Sequence, residues 1–138
     1  MTKAEIMTLY LGVDPGRSKT GLALVNAEGK ILRLCIARTA SLAKELRDFC
    51  KDTALKAVII GNGTHSQNIA QEIMQLLPEL TVHFVEEAYS TEAARRLYWE
   101  VNPPKGWQKF VPLGLLVPDE PLDAYAAVVQ VRRWLEKC

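Results

Sequence analysis

Few of the common routes to a functional site are open to this chain, and the shortages narrow the field first. Cysteine occurs three times, at Cys35, Cys50 and Cys138, with no CxxC pair. Neither a disulfide framework nor a zinc site is expected; thiols in a reducing cytoplasm are. The two histidines, His65 and His83, lack metal-ligand spacing. No apolar run approaches the ~20 residues of a membrane span, and the opening residues carry neither an h-region nor a cleavage site. We therefore expect a cytoplasmic protein with no membrane partner. Charge of neither sign prevails: the formal net charge is +1, so any basic footprint on a nucleic acid must be local. There is no GxxxxGK[ST] loop, internal repeat, low-complexity tract or linker. What remains, 138 residues at 49% hydrophobic content, fits one domain with a core of its own.

The apolar pattern supplies the elements. Leu9 to Val13 is an apolar run ending in Asp14; Pro15-Gly16 reads as a tight turn, with Gly16 free to take a positive φ; Leu22 to Val25 returns from it. After a second turn at Asn26–Gly29, Lys30 to Ala37 predicts a third strand and completes an antiparallel meander. From Thr39 to Thr53 the period becomes helical, with Leu42, Leu46 and Phe49 inward and Ser41 as N-cap. Ala57 to Ile60 suits a parallel strand buried on both faces. A helix from Ser66 to Leu77, a strand from Leu80 to Val85 and a helix capped by Ser90 or Thr91 follow. The stretch from Trp107 to Pro118 is irregular, and Pro121 to Lys137 is helical. This order describes an α/β fold: a mixed sheet, antiparallel over strands 1–3 and then parallel, flanked by helices.

Carboxylates fall at one edge of such a sheet. Asp14 ends the first strand, Glu86-Glu87 end the last, and Asp123 lies in the first turn of the closing helix. That helix carries Asp123, Ala126, Ala127 and Gln130 along one line, and its alanines allow a close approach to the sheet. Singly, each acid has a plain role as turn residue, solvated loop residue or helix-dipole partner. Together they suit hard divalent cations, which take oxygen ligands and accept substrate phosphates. Gly61-Asn-Gly-Thr64 reads either as a phosphate-approaching turn before a helix N-terminus or as a simple strand-to-helix connection.

These segments also carry a resemblance. Leu11-Gly-Val-Asp-Pro-Gly-Arg-Ser-Lys-Thr-Gly-Leu-Ala-Leu-Val25, Val85-Glu-Glu-Ala-Tyr-Ser-Thr91 and Asp123-Ala-Tyr-Ala-Ala127 resemble, in order, three motifs of the YqgF/RuvX family of RNase H-like nucleases. That family is described as Holliday junction resolvases and as nucleases maturing the precursor of small-subunit ribosomal RNA; the first motif is also close to RuvC-type resolvases. The resemblance implies a single RNase H-like nuclease domain over residues 1–138. It implies a Mg²⁺- or Mn²⁺-dependent endonuclease, with two ions, acting on structured DNA or RNA. Asp14, Glu87 and Asp123 would be both catalytic and metal-binding, with Glu86 as second choice for the middle ligand. The chain departs from the pattern in its shortened loop at Gly61–Ser66, which looks more like Tex-type transcription accessory proteins. It also carries Ala126 where RuvC-type enzymes have a fourth carboxylate. Asp119, just before the helix, either stands in for that carboxylate or caps the helix, the cap being preferred. Arg17, Lys19, Lys105 and Lys109 are the candidate phosphate contacts, whereas Arg95-Arg96 and Arg132-Arg133 read as solvated helix faces. Trp107 and Phe110 either cover the core or stack on exposed bases, the first being preferred. A junction cutter making two cuts would favour a two-fold homodimer. A non-catalytic RNase H-like module binding nucleic acid or protein is the alternative.

Overall fold

A computed structural model describes residues 8–86 and 90–137. Five strands form one sheet in the order β3-β2-β1-β4-β5, where β1 is Leu9–Asp14, β2 Lys19–Asn26, β3 Ile31–Arg38, β4 Leu55–Asn62 and β5 Thr81–Glu86. β1–β3 pair antiparallel, and β4 and β5 run parallel to β1. Among the described residues, four helices flank the sheet: α1 (Leu42–Phe49), α2 (Ser66–Leu76), α3 (Ser90–Val101) and α4 (Asp123–Glu136). This strand order and these directions are those of the RNase H-like fold. Among the described residues no helix is long and apolar enough to cross a membrane.

Strand alternation divides the core in two. Leu11, Val13, Leu22, Leu24, Val58 and Ile60 meet α1 and α2 through Leu42, Leu46, Phe49, Ile69 and Ile73. The opposite face turns Tyr10, Ala23, Val25, Ala57, Ile59 and Val85 towards α3 and α4. Gly12 alternates with Leu11 and Val13, and it lets α4 come down onto β1. A Cβ there would lie 2.5 Å from the Ala127 carbonyl oxygen and 2.7 Å from Val131 Cγ2.

Several local expectations give way to other contacts. Gly16 is not at a positive φ; it supplies clearance, since a Cβ there would strike the Lys19 carbonyl. The first helix is shorter than its period suggested, because a 3₁₀ turn at Thr39–Ser41 precedes it. Ser41 makes no side-chain cap; its hydroxyl donates to Glu45 Oε2 at 3.0 Å, and the Arg38 amide donates to the same oxygen at 2.7 Å. Asp119 does not cap α4 either. Leu122 holds the N-cap position without a side-chain bond, while the Asp119 amide donates to Tyr98 Oη at 3.3 Å. Arg132 and Arg133 are half-buried rather than a solvated face. Arg132 Nε donates to the Gly29 carbonyl at 2.9 Å and Arg133 Nη1 to that of Glu86 at 3.1 Å, tying α4 to both sides of the sheet.

The segment between α3 and α4 does not cover the core with its aromatics. Trp107 is 71% exposed and Phe110 89%, both on a 3₁₀ turn at Gly106–Phe110. A second 3₁₀ turn, Leu113–Leu115, precedes Leu116, which is the buried anchor of this stretch.

Candidate active site

The β1–β2 hairpin builds the site's floor. Asp14 is the last residue of β1 and stands directly across from Gly21 of β2. A Cβ at Gly21 would collide with the backbone carbonyl of Asp123 and the amide nitrogen of Ala124. The first turn of α4 therefore rests on the residue facing Asp14, which brings Asp14 and Asp123 to one edge of the sheet. Opposed residues in an antiparallel pair have Cα atoms roughly 4.5–5.5 Å apart. Asp14 and Asp123 are each half-exposed, open to solvent on one side and to the protein on the other.

Two turns along α4, Gln130 completes the arrangement. It is fully buried, and its Nε2 donates to Asp14 Oδ1 at 3.0 Å. The line Asp123, Ala126, Ala127, Gln130 thus faces the sheet, with Ala127 at zero exposure and Ala126 nearly so. Sequence periodicity placed Gln130 on this line without marking it as part of a site. A buried amide among aliphatic neighbours was the available signal, because buried polar side chains are few and have partners.

At the end of β5, register separates the two candidate glutamates. Ile59 pairs with His83 and Gly61 with Val85, so His83 and Val85 share the face of Asp14. Glu86 falls on the opposite face and is exposed. Glu87 lies outside the described residues. Among the described residues, no three His, Cys, Asp or Glu side chains form a group that could hold a metal. The two acids set at this edge, Asp14 and Asp123, carry oxygen donors only. His83 is occupied elsewhere, stacking on Trp134 with ring centroids 4.8 Å apart. Such donors fit a hard divalent cation and not zinc.

Cations lie beside Asp14 on the hairpin and its neighbour strand. Arg17 and Lys19 are exposed beside Asp14, and Lys19 stands across from Arg38, also exposed, at the ends of β2 and β3. Alternation through Gly21 puts Lys19 and Arg38 on the face of Asp14. Like charges directly opposed in a ladder are unfavourable; sequence reading did not single out Arg38. Lys105 precedes the exposed turn bearing Trp107 and Phe110, and Lys109 lies within it. They are the only charged residues between Asn102 and Pro118.

The Gly61–Thr64 stretch is in part strand: Gly61 and Asn62 pair with Val85 and Glu86. Ser66 closes the following turn by donating its hydroxyl to the Gly63 carbonyl at 2.8 Å. Cys35 and Cys50 pack against the core on the face of the sheet opposite Asp14. Burial pushes Cys50 up to about 11, against the opposing pull of Arg33, and burial also raises Cys35.

No family model matches the chain, and no curated protein matches it. Among solved structures, it is similar to T. thermophilus RuvC in complex with Holliday junction substrate, at 16% identity and a TM-score of 0.49, over 94% of this chain and 96% of that one. It is also similar to a ROK family transcriptional regulator, a homolog of E. coli MLC protein, at 15% identity and 0.48, over 65% of this chain and 30% of that one. A ROK family glucokinase from Streptomyces griseus, in complex with glucose and AMPPNP, gives 18% and 0.45 over 63% and 36%. The chain spans about a third of the length of these two ROK proteins. Likenesses this distant leave activity to be argued from the site.

Proposed function

We propose that the chain is a divalent-metal-dependent endonuclease acting on structured nucleic acid, either a four-way DNA junction or a ribosomal RNA precursor. The observation that carries this reading is the seat of Asp123 on Gly21, directly across the hairpin from Asp14. Each acid has a plain role taken singly, but folding does not require two half-exposed acids on one helix–strand junction. Asp14 and Asp123, with Glu87 as third ligand, would hold Mg²⁺ or Mn²⁺. Bound there, such ions supply water activation and stabilisation of the leaving oxygen in phosphodiester cleavage. Glu86 is the weaker choice, since its register turns it from Asp14.

The chain's own cations hold the substrate in this reading. Arg17, Lys19 and Arg38 take phosphates beside the acids; Lys105 and Lys109 take phosphates at the exposed turn. Trp107 and Phe110 are three residues apart on a 3₁₀ turn, so their side chains project from the same side. In this setting they stack on unpaired bases. A two-fold homodimer would place two such sites on one junction.

The test is cleavage of labelled four-way junctions beside ribosomal precursor RNA, with and without Mn²⁺. Glu87→Gln should abolish cleavage with the fold intact, and Glu86→Gln should leave most of it. Both variants cleaving at the wild-type rate would remove this strand end from the site. The second reading, a binding module without catalysis, is favoured by the exposed Leu115 and Val117 beside the aromatics. It predicts no Mn²⁺ binding at the acids.

A further inference from the structure

We propose that Gln130 is a positioning residue for Asp14, its amide fixing the carboxylate for a divalent cation; this rests on the function proposed above. Gln130 has no solvent exposure and lies between Val129 and Val131, both buried. Its Nε2 donates to Asp14 Oδ1, while its Oε1 is buried with no hydrogen-bond partner among the described residues. A Leu or Met would fill this place and leave no orphan acceptor. Packing therefore gives no reason for an amide here, because an unpaired buried acceptor detracts from stability.

The reason lies at Asp14. Helical side chains lean towards the helix N-terminus, so the amide is carried towards the end of α4 that bears Asp123. There it restrains the carboxylate at the tip of β1. The donor is also neutral. A Lys or Arg in its place would pair with Asp14 and compete with a cation for the negative charge. An amide orients the carboxylate without itself neutralising it. Asp14 is the residue that would touch the metal; Gln130 acts through it.

Gln130→Met is nearly isosteric and removes the donor together with the orphan acceptor. By Mn²⁺ titration calorimetry its affinity should fall roughly 10–100-fold, the usual effect of removing a partner that orients a metal ligand. Its melting temperature should stay within a few degrees of wild type. Gln130→Asn keeps the amide but is one methylene short, and should bind Mn²⁺ as poorly as the Met variant. Wild-type affinity in Gln130→Met would overturn the proposal, whatever its melting temperature. Should neither variant fold, the wild-type protein still decides: the Gln130 side-chain amide resonances should shift on Mg²⁺ addition, and Asp14→Asn should abolish the shift. Resonances unmoved at saturating Mg²⁺ would overturn it too. Equal Mn²⁺ binding by wild type and Asp14→Asn is a different result, which overturns the metal site and the positioning role together.

Discussion

The two faces of the sheet are built on different terms. Towards α1 and α2 the strands present Leu11, Val13, Leu22, Leu24, Val58 and Ile60, branched side chains that fill the space between layers. Towards α4 they present Gly12, Asp14, Gly21 and Ala23, and the helix answers with Ala126, Ala127 and Gln130. The first face separates its layers with bulk. The second carries Tyr10, Val25, Ile59 and Val85 elsewhere but gives up bulk where α4 crosses β1 and β2. There backbone meets backbone, and a polar pair occupies the space where a larger side chain would lie. Close approach places functional groups with little freedom, whereas a layer of long aliphatic side chains adjusts to small changes. The contrast predicts that stability and activity respond separately to substitutions on the two faces.

The largest separation is expected between Asp14→Asn and Leu22→Ala. Asp14→Asn should remove metal-dependent cleavage while leaving the urea midpoint near wild type. Leu22→Ala empties a fully buried site and should cost about 2–5 kcal/mol in urea unfolding. Its cleavage rate per folded molecule should stay near wild type. An inactive Leu22→Ala that is fully folded would erase the distinction between the faces.

Gly21→Ala should act on both properties. The added methyl meets the backbone of Asp123 and Ala124, which cannot turn aside as a side chain would. Overpacking of this kind costs about 1–3 kcal/mol. Because α4 must shift to accommodate it, Mn²⁺ affinity should fall along with stability. Denaturant unfolding and metal titration on the same sample test this; loss of stability with unchanged metal affinity would detach Asp123 from the site.

A smaller effect is expected away from both faces. Replacing Lys105 and Lys109 together should weaken duplex binding about equally across sequences and flatten the slope of log K against log salt by about two units. Anisotropy titrations at several salt concentrations, with Ca²⁺ in place of Mg²⁺, read this directly. An unchanged slope would leave Arg17, Lys19 and Arg38 as the phosphate contacts.

The smallest effect tests the face towards α1 and α2 by pH. The Cys50 thiol is raised in the folded protein from 9.0 to about 11, chiefly by burial. A raised folded value means a contribution fully present below pH 9 and lost as pH rises through about 11. Partial exposure of Cys50 keeps it modest. Unfolding midpoints of wild type should decline across that window more steeply than those of Cys50→Ala, with no difference between their slopes below pH 9.

Much of this arrangement was legible in the sequence. The Leu9–Asp14 strand, the hairpin, the parallel strands and the line from Asp123 to Gln130 all follow from local periodicity, which a single chain displays. What escaped was non-local. Gly21 gives no positive signal because its role is an absence of side chain beneath a helix 102 positions away (Asp123 less Gly21). Arg132 and Arg133 looked solvated because nothing local shows the Gly29 and Glu86 carbonyls they reach. Trp107 and Phe110 were expected inside on composition; the broken backbone around Pro103, Pro104 and Pro112 instead holds their turn at the surface. The middle acid depended on strand parity, which one residue of strand length reverses.

The hydrogen bond between Gln130 and Asp14 spans 116 positions, and this orders the protein's assembly in time. The β1–β2 hairpin is local and can close soon after synthesis, whereas the site waits for α4. At about 5–20 residues per second, the interval is on the order of ten seconds. During it, a nascent chain carries Asp14 on a formed hairpin with neither Asp123 nor Gln130 beside it. The same separation in sequence makes α4 docking a late event in refolding, since the loop must be closed before its contacts reward it.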